Sequence, residues 1–280
     1  MANVKKLPAP LVICALAVSF LCAAVYADDA TLTADSMKYD PATGMITAEG
    51  SVRLTGLGGE LTGDSGRGAV SGSDFEMKGN VRGRFTDKDG SVISIKCAAA
   101  SMKGREIAGS VVTASGDVEL TRGKEILTAD VVRWTLGGAA YSADGQVLGN
   151  FTGYSIDADS VSRDADRFEA DGVRKFYEAS KKITMSASQA EGALNGNEVT
   201  EMTASGGVVA TVPDRSGRMT RLSGSSAVYS LARGTLVVSG RVIVTQTGRS
   251  LKSDSIVYFL DSGHIDAHGS PSLTFGTDRR

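Results

Sequence analysis

The side chains whose types and spacing could do chemistry are few in this 280-residue chain. They are His264 and His268, a single cysteine beyond residue 27 (Cys97), and a recurring set of aspartates, Asp35, Asp64, Asp130, Asp159 and Asp254. The alternation through Ile265, Ala267 and Gly269 places His268 on an outer face and His264 at a turn. Two exposed imidazoles without a third ligand make a poor metal site, because zinc wants three or four ligands. A Ser-His-Asp arrangement would have to use one of the same two histidines, and no G-x-S-x-G elbow is present to carry the nucleophile. The glycines between Gly56 and Gly68 do not open a helix, so they do not form a phosphate-cradling loop. The aspartates could stack into a calcium ladder, but calcium-binding β-helices need a nonapeptide period with paired glycines. Their spacing fits better with a bulge or bend that switches strand faces, because Leu32 and Ala34 share one parity while Met37 and Tyr39 share the other. No carboxylate pair stands out for glycoside chemistry. No catalytic residue, metal site or cofactor site is expected.

The elements that position these residues are hairpins, and they repeat. Residues 32–54 read LTADSMKYDPATGMITAEGSVRL. The turn PATG separates two halves, and beyond it Ile46, Ala48, Gly50, Val52 and Leu54 alternate with Thr47, Glu49, Ser51 and Arg53. A period of two is the signature of a half-buried strand. The opening half recurs at Leu61, Ile95, Leu127, Ile156, Met185, Leu222 and Leu251, and the closing half around Gly79, Gly116, Gly145, Gly172, Gly206, Gly240 and Gly269. That makes about eight units of roughly 30 residues, a repeat architecture.

The glycine of each closing half sits at an inward position, and its offset from the opening residue is conserved in most units (Leu32 to Gly50, Leu61 to Gly79, Leu127 to Gly145). Glycine within a strand costs roughly 0.5–1 kcal/mol relative to Ala. Its recurrence therefore implies a geometric need, a sharp bend or a close backbone approach. Stacked in register, these glycines would form a crease. The expected fold is all-β, a twisted, repeat-built jelly roll in which two sheets face each other across a V-shaped trough.

The alternation gives the trough an apolar lining: Ile46, Ala48, Val52, Leu54, Phe75, Met77, Val81, Val112, Ala114, Val118, Leu236, Val238, Val242, Val244, Ile265, Ala267, Leu273 and Phe275. Periodicity allows two readings of it. Tight packing of the facing sheets would fill the trough with its own side chains; an open trough would accept hydrocarbon. Arg174, in the irregular stretch 174–196, takes an inward slot and could mark a seam between two halves; residues 212–221 read as an exposed loop around Pro213 and Gly217.

Residues 1–27 read as a secretory leader, with Lys5 and Lys6 ahead of the apolar run Leu11–Val25 and a small-residue cleavage site at Val25-Tyr26-Ala27. The run is short for a membrane-spanning helix, which needs about 20 residues. An uncleaved anchor stays the alternative. Residues 28–280 would then form one continuous β-jelly roll. Of the 30 basic residues, the leader removes Lys5 and Lys6, leaving 28 against 32 acidic ones, a mixed balance that gives no electrostatic footprint for nucleic acid. Cys97 is left without an internal disulfide partner and takes a small inward position, a buried structural thiol.

The units LTADSMKYDPATGMITAEGSVRLT and LKSDSIVYFLDSGHIDAHGS resemble the OstA-like repeat of the LptA family of lipopolysaccharide-transport proteins, with its relatives LptC and the periplasmic part of LptD. The resemblance covers nearly the whole chain after the leader. It implies a periplasmic bridge protein that is not an enzyme, carries lipid A acyl chains of lipopolysaccharide in an apolar β groove, and joins LptC-like and LptD-like partners, or copies of itself, end to end by strand addition. An LptC-like anchored component is the alternative within the family. A structural β-repeat protein with a filled core and no lipid ligand is the alternative outside it.

Overall fold

The computed structural model describes residues 31–275 apart from 57–58, 70–73, 87–91, 104–110, 136–139, 165, 197 and 215. The leader (1–27) and the charged tail (277–280) therefore lie outside the described residues. Among the described residues there are 18 strands and no helix. In chain order they are β1 (Thr31–Thr33), β2 (Ser36–Asp40), β3 (Met45–Gly56), β4 (Gly59–Ala69), β5 (Asp74–Thr86), β6 (Val92–Lys103), β7 (Val111–Arg122), β8 (Glu125–Thr135) and β9 (Ala140–Asn150). They continue as β10 (Tyr154–Asp164), β11 (Arg167–Glu178), β12 (Ile183–Asn195), β13 (Glu198–Pro213), β14 (Met219–Ser230), β15 (Thr235–Gln246), β16 (Arg249–Phe259), β17 (Ile265–His268) and β18 (Ser272–Phe275).

From β3 to β16 every strand pairs antiparallel with its sequence neighbours, a plain meander. At the start β1 and β2 share β3, and at the end β17 and β18 share β16. Each of these terminal pairs is one strand broken at the crease.

The crease follows from backbone geometry. Gly50 (φ 74°) and Ser51 (φ 48°) are consecutive left-handed residues, and the same pairing recurs at Gly79–Asn80, Gly116–Asp117, Gly145–Gln146, Gly206–Gly207, Gly240–Arg241 and Gly269–Ser270. Glu49 pairs with Ser65 and Val52 with Gly63, so Gly50 and Ser51 together oppose Asp64 alone. Two residues against one is a β-bulge, which bends the strand. Repeated in adjacent strands, it bends the whole sheet along one line.

The bend turns the two halves of the sheet toward each other. In odd strands the inner residues keep one parity through the crease, as Ala114, Val118 and Leu120 show; in even strands the parity switches, as in Leu127 and Ala129 followed by Val132 and Trp134. All of these inner residues belong to one contiguous apolar cluster that runs from β3 to β16. Of its largest fully buried members, Tyr229, Tyr258, Phe176, Ile183, Leu222, Leu236 and Ile256 lie in the C-terminal half, and Met77 and Ile93 in the N-terminal half. Burial of such a side chain stabilises the fold by about 1.5–3 kcal/mol.

The stretch 174–196 belongs to the paired strands β11 and β12 and the tight turn between them. Arg174 does not take an inward slot. In β11 only Gly172 is left-handed, and Val173 pairs with Ala187 but Phe176 with Met185. Arg174 and Lys175 are the extra residues and both turn outward, which brings Phe176 and Glu178 in. Arg174 then bonds Asp157 and Asp159 of β10 and the Ala158 carbonyl. Buried Glu178 accepts from the backbone N–H groups of Ser180 (2.9 Å) and Lys181 (2.7 Å), closing the turn. The turn expected near Pro213 is shorter than 212–221: β13 runs through Pro213, and Asp214 to Arg218 close the hairpin with N–H to carbonyl bonds of 2.8 and 2.9 Å.

Candidate binding groove

The side chains singled out for chemistry do not converge. His264 bonds Asp266 at 2.9 Å beside the turn, while His268 lies at the other end of β17, opposite Ser255. Among the described residues no group of three or more His, Cys, Asp or Glu side chains could hold a metal ion. Burial pushes the Cys97 thiol up to about 11, against the opposing pull of backbone hydrogen bonds from Ser115 and Ala99. The five recurring aspartates each pack against the crease glycine of their own unit: Asp35 on Gly50, Asp64 on Gly79, Asp130 on Gly145, Asp159 on Gly172 and Asp254 on Gly269. Ala98, Ser188 and Ser225 take the same place against Gly116, Gly206 and Gly240.

The inner face is where a ligand could be held. Of the apolar positions read from the alternation, Ala48, Val52, Met77, Val81, Ala114, Val118, Leu236, Val238, Val242 and Val244 are buried. They lie next to the crease or in the packed C-terminal half. Ile46, Leu54, Phe75, Val112, Ile265 and Ala267 are half-buried, and Leu273 and Phe275 are exposed at the last strand.

Among the described residues a groove opens on the inner face. Counted with the solvent at its mouth it spans about 730 Å³, and it lies between the two halves of β3 to β8. One wall carries Leu54, Leu61, Phe85 and Ile95; the other carries Phe75, Met102, Val112 and Trp134. Its lining is almost wholly apolar, as small-molecule sites usually are. Glycines of β4 and β5 lie against its lining side chains. A Cβ on Gly68 would lie 2.5 Å from Phe75 Cδ2, and one on Gly83 would lie 2.5 Å from Ile95 Cγ2.

A family model described as LptA/(LptD N-terminal domain) LPS transport protein matches residues 99–264, more than half of the chain. The chain belongs to this LPS transport family. Among solved structures it is similar to the crystal structure of LptH, the LptA homologous periplasmic component of the conserved lipopolysaccharide transport device from Pseudomonas aeruginosa, at 11% identity and a TM-score of 0.31. That match covers 55% of this chain and 95% of LptH. No curated protein matches the chain.

Several residues of this family member's trough are absent from the lining read by alternation, and they share one place in the repeat. The switch of parity after Asp35 turns the last residue of each opening half inward. That column is Tyr39, Gly68, Met102, Trp134, Arg163, Gly192, Tyr229 and Tyr258. The switch itself was legible in Leu32, Ala34, Met37 and Tyr39; carrying it through all units finds Trp134 and Met102 in the groove and Arg163 in the interior.

Proposed function

We propose that this protein is a periplasmic, lipopolysaccharide-binding component of the transport family, and that it shelters lipid A acyl chains in the groove of β3 to β8. The observation that carries this reading is the open apolar groove inside an otherwise packed trough, in a chain of the LPS transport family. Acyl chains moved from water into such a groove gain about 0.8 kcal/mol per buried CH₂. Binding requires no bond to be made or broken. Sugars and phosphates would stay outside, in solvent.

The ends of the sheet support assembly with other domains of the same fold. β2 exposes Met37 (53%) and Tyr39 (58%) on the inner face, and β18 exposes Leu273 (50%) and Phe275 (63%). Among the described residues each end also presents an unpaired strand edge, a template for strand addition. End-to-end joining with LptC-like and LptD-like partners, or with a second copy, would continue the sheet and cover these side chains. Among the described residues no helix is long and apolar enough to cross a membrane, a statement that does not bear on spanning strands. Whether the leader is cleaved separates the soluble bridge from an anchored component.

The test is site-specific photo-crosslinking to purified lipopolysaccharide. A benzophenone side chain at Val112 in the groove wall is expected to form an adduct; one at Arg82, exposed on the outer face, is not. Equal labelling of the two positions, or none at Val112, would remove the lipid-binding reading.

A further inference from the structure

Resting on that reading, we propose that the trough is divided: acyl chains occupy only the compartment walled by β3 to β8, and a plug of Phe151, Tyr154, Arg163 and Phe176 bars them from the C-terminal half. The plug begins with a departure from the repeat. Arg163 stands where Tyr39, Trp134, Tyr229 and Tyr258 stand in other units. It is 5% exposed, so a guanidinium lies inside an apolar trough. A charge there is costly unless it is hydrogen-bonded. Arg163 Nη2 donates to the Gly196 carbonyl at 3.2 Å, and its side chain hydrogen-bonds Tyr154.

The aromatic part of the plug is fixed from both sides. Glu125 Oε1 accepts from Thr152 N–H (3.1 Å) and Thr152 Oγ1 (2.7 Å), and the Phe151 N–H donates to the Tyr154 carbonyl at 2.9 Å. These bonds fold the 151–154 turn inward. Phe151 lies over Gly149, where a Cβ would come within 2.5 Å of the ring. The Phe151 and Tyr154 rings are 4.7 Å apart, and the Tyr154 and Phe176 rings 6.1 Å. Phe176 reaches the stack only because Arg174 and Lys175 are both turned out, and Arg174 locks that irregular register to Asp157 and Asp159 from outside.

The space on the two sides differs accordingly. On the N-terminal side the groove, about 730 Å³ counted with the solvent at its mouth, is lined mostly by half-buried side chains, together with buried Ile95, Ala100 and Trp134. Within the plug the same solvent-inclusive count falls to about 350 Å³, and beyond it Ile183, Met185, Leu222, Tyr229 and Tyr258 are buried. An advancing acyl chain would have to displace Tyr154 from Arg163 and could offer the guanidinium no acceptor in return. The plug thus acts as a depth stop, and the C-terminal half serves as a packed strut rather than a conduit.

The experiment places the benzophenone side chain at two methionines of similar shape in the full-length protein, Met102 before the plug and Met185 beyond it, with purified lipopolysaccharide as the probe. In the wild-type background an adduct is expected at Met102 and none at Met185. Phe151→Ala and Tyr154→Ala, made separately and each checked for a cooperative thermal melt, are expected to bring labelling to Met185. Labelling of Met185 in the wild-type background would overturn the divided trough while leaving lipid binding intact. So would folded plug variants that still label only Met102. An absence of adducts at Met102 in every background would instead remove the lipid-binding reading on which the proposal rests.

Discussion

The Oδ2 atom of Asp64 lies 2.3 Å from where a Cβ on Gly79 would be built, so the carboxylate occupies the space that any other residue at 79 would need. The same contact joins Asp35 to Gly50 and Asp254 to Gly269, also at 2.3 Å. Each aspartate is one strand away from the glycine it touches. The left-handed glycine makes room for the side chain, and the side chain in turn steadies the bulge: Asp64 accepts from Asn80 Nδ2 at 2.8 Å, and Asp35 from Ser51 Oγ at 3.3 Å. The repeat motif therefore encodes a bend, with the aspartate and the glycine as its two halves.

Gly79→Ala should destabilise the protein by about 1–3 kcal/mol, the usual cost of holding a non-glycine residue in a strained backbone region. The added Cβ also collides with Asp64. Asp64→Ala in the same chain removes the contact with the carboxylate but leaves the residue 64 Cβ 2.7 Å from the added Cβ, and the backbone strain with it, so the double variant should recover only part of the loss. Urea denaturation of the two single variants and the double variant measures this. A Gly79→Ala variant as stable as the parent would mean that the crease does not depend on this contact.

Arg174→Ala should leave stability nearly unchanged, because its ion pairs with Asp157 and Asp159 are at the surface, where such pairs contribute little. An arginine in an inward slot would behave differently, since its loss would disturb the core. Equilibrium unfolding distinguishes the two outcomes.

Leu236→Ala and Phe85→Ala should separate the filled from the open part of the trough. Leu236 is fully buried, and truncation should cost about 2–5 kcal/mol without changing lipid binding. Phe85 is a half-buried groove wall, so its loss should weaken lipopolysaccharide binding more than it weakens the fold. Thermal melts and equilibrium binding, measured on both variants, check the contrast.

The 214–218 turn should make stability pH-dependent in acid. The Ser216 hydroxyl, more than the other contacts, holds the Asp214 carboxyl down to about 2, aided by the Arg218 side chain and the backbone N–H groups of Arg218 and Ser216. Because the folded-state value lies below the ordinary one near 3.8, the carboxylate stabilises the fold above that value, and the contribution is lost as pH falls toward 2. Asp214→Ala should therefore lower the melting temperature at neutral pH and lose its effect in strong acid. A pH series of melts on both proteins gives the comparison.

Phe275→Asp should block end-to-end assembly and leave the monomer folded, because Phe275 is exposed on the terminal strand and contributes little to the core. Tyr39→Asp should do the same from the opposite end. Light scattering at several protein concentrations reads the assembly state, and far-ultraviolet circular dichroism reads the fold.

The all-β meander and its crease were legible because both rest on local rules. Alternation in Ile46 to Leu54 reports a strand face, and the recurrence of Gly50, Gly79 and Gly145 reports a bend. The trough was harder to read. Alternation identifies Val242 and Val112 equally as inner residues, yet Val242 is covered by neighbours and Val112 opens on the groove. That difference depends on side-chain volumes on facing strands, large at Tyr229 and Tyr258 and absent at Gly63, Gly66 and Gly68, which a one-dimensional pattern does not compare. Arg174 was misplaced for a related reason: with a single left-handed residue at Gly172, the count of residues across the bulge changes, and every position after it shifts face.

Trp134 provides the most direct measurement, since it is the chain's single tryptophan and lines the groove. Lipid A carrying brominated acyl chains quenches indole fluorescence only on close contact. Groove binding predicts saturable quenching of Trp134, competed away by unbrominated lipopolysaccharide and weakened by Phe85→Ala. Emission that stays unchanged as the brominated lipid is raised well above the protein concentration would contradict acyl-chain binding in the groove.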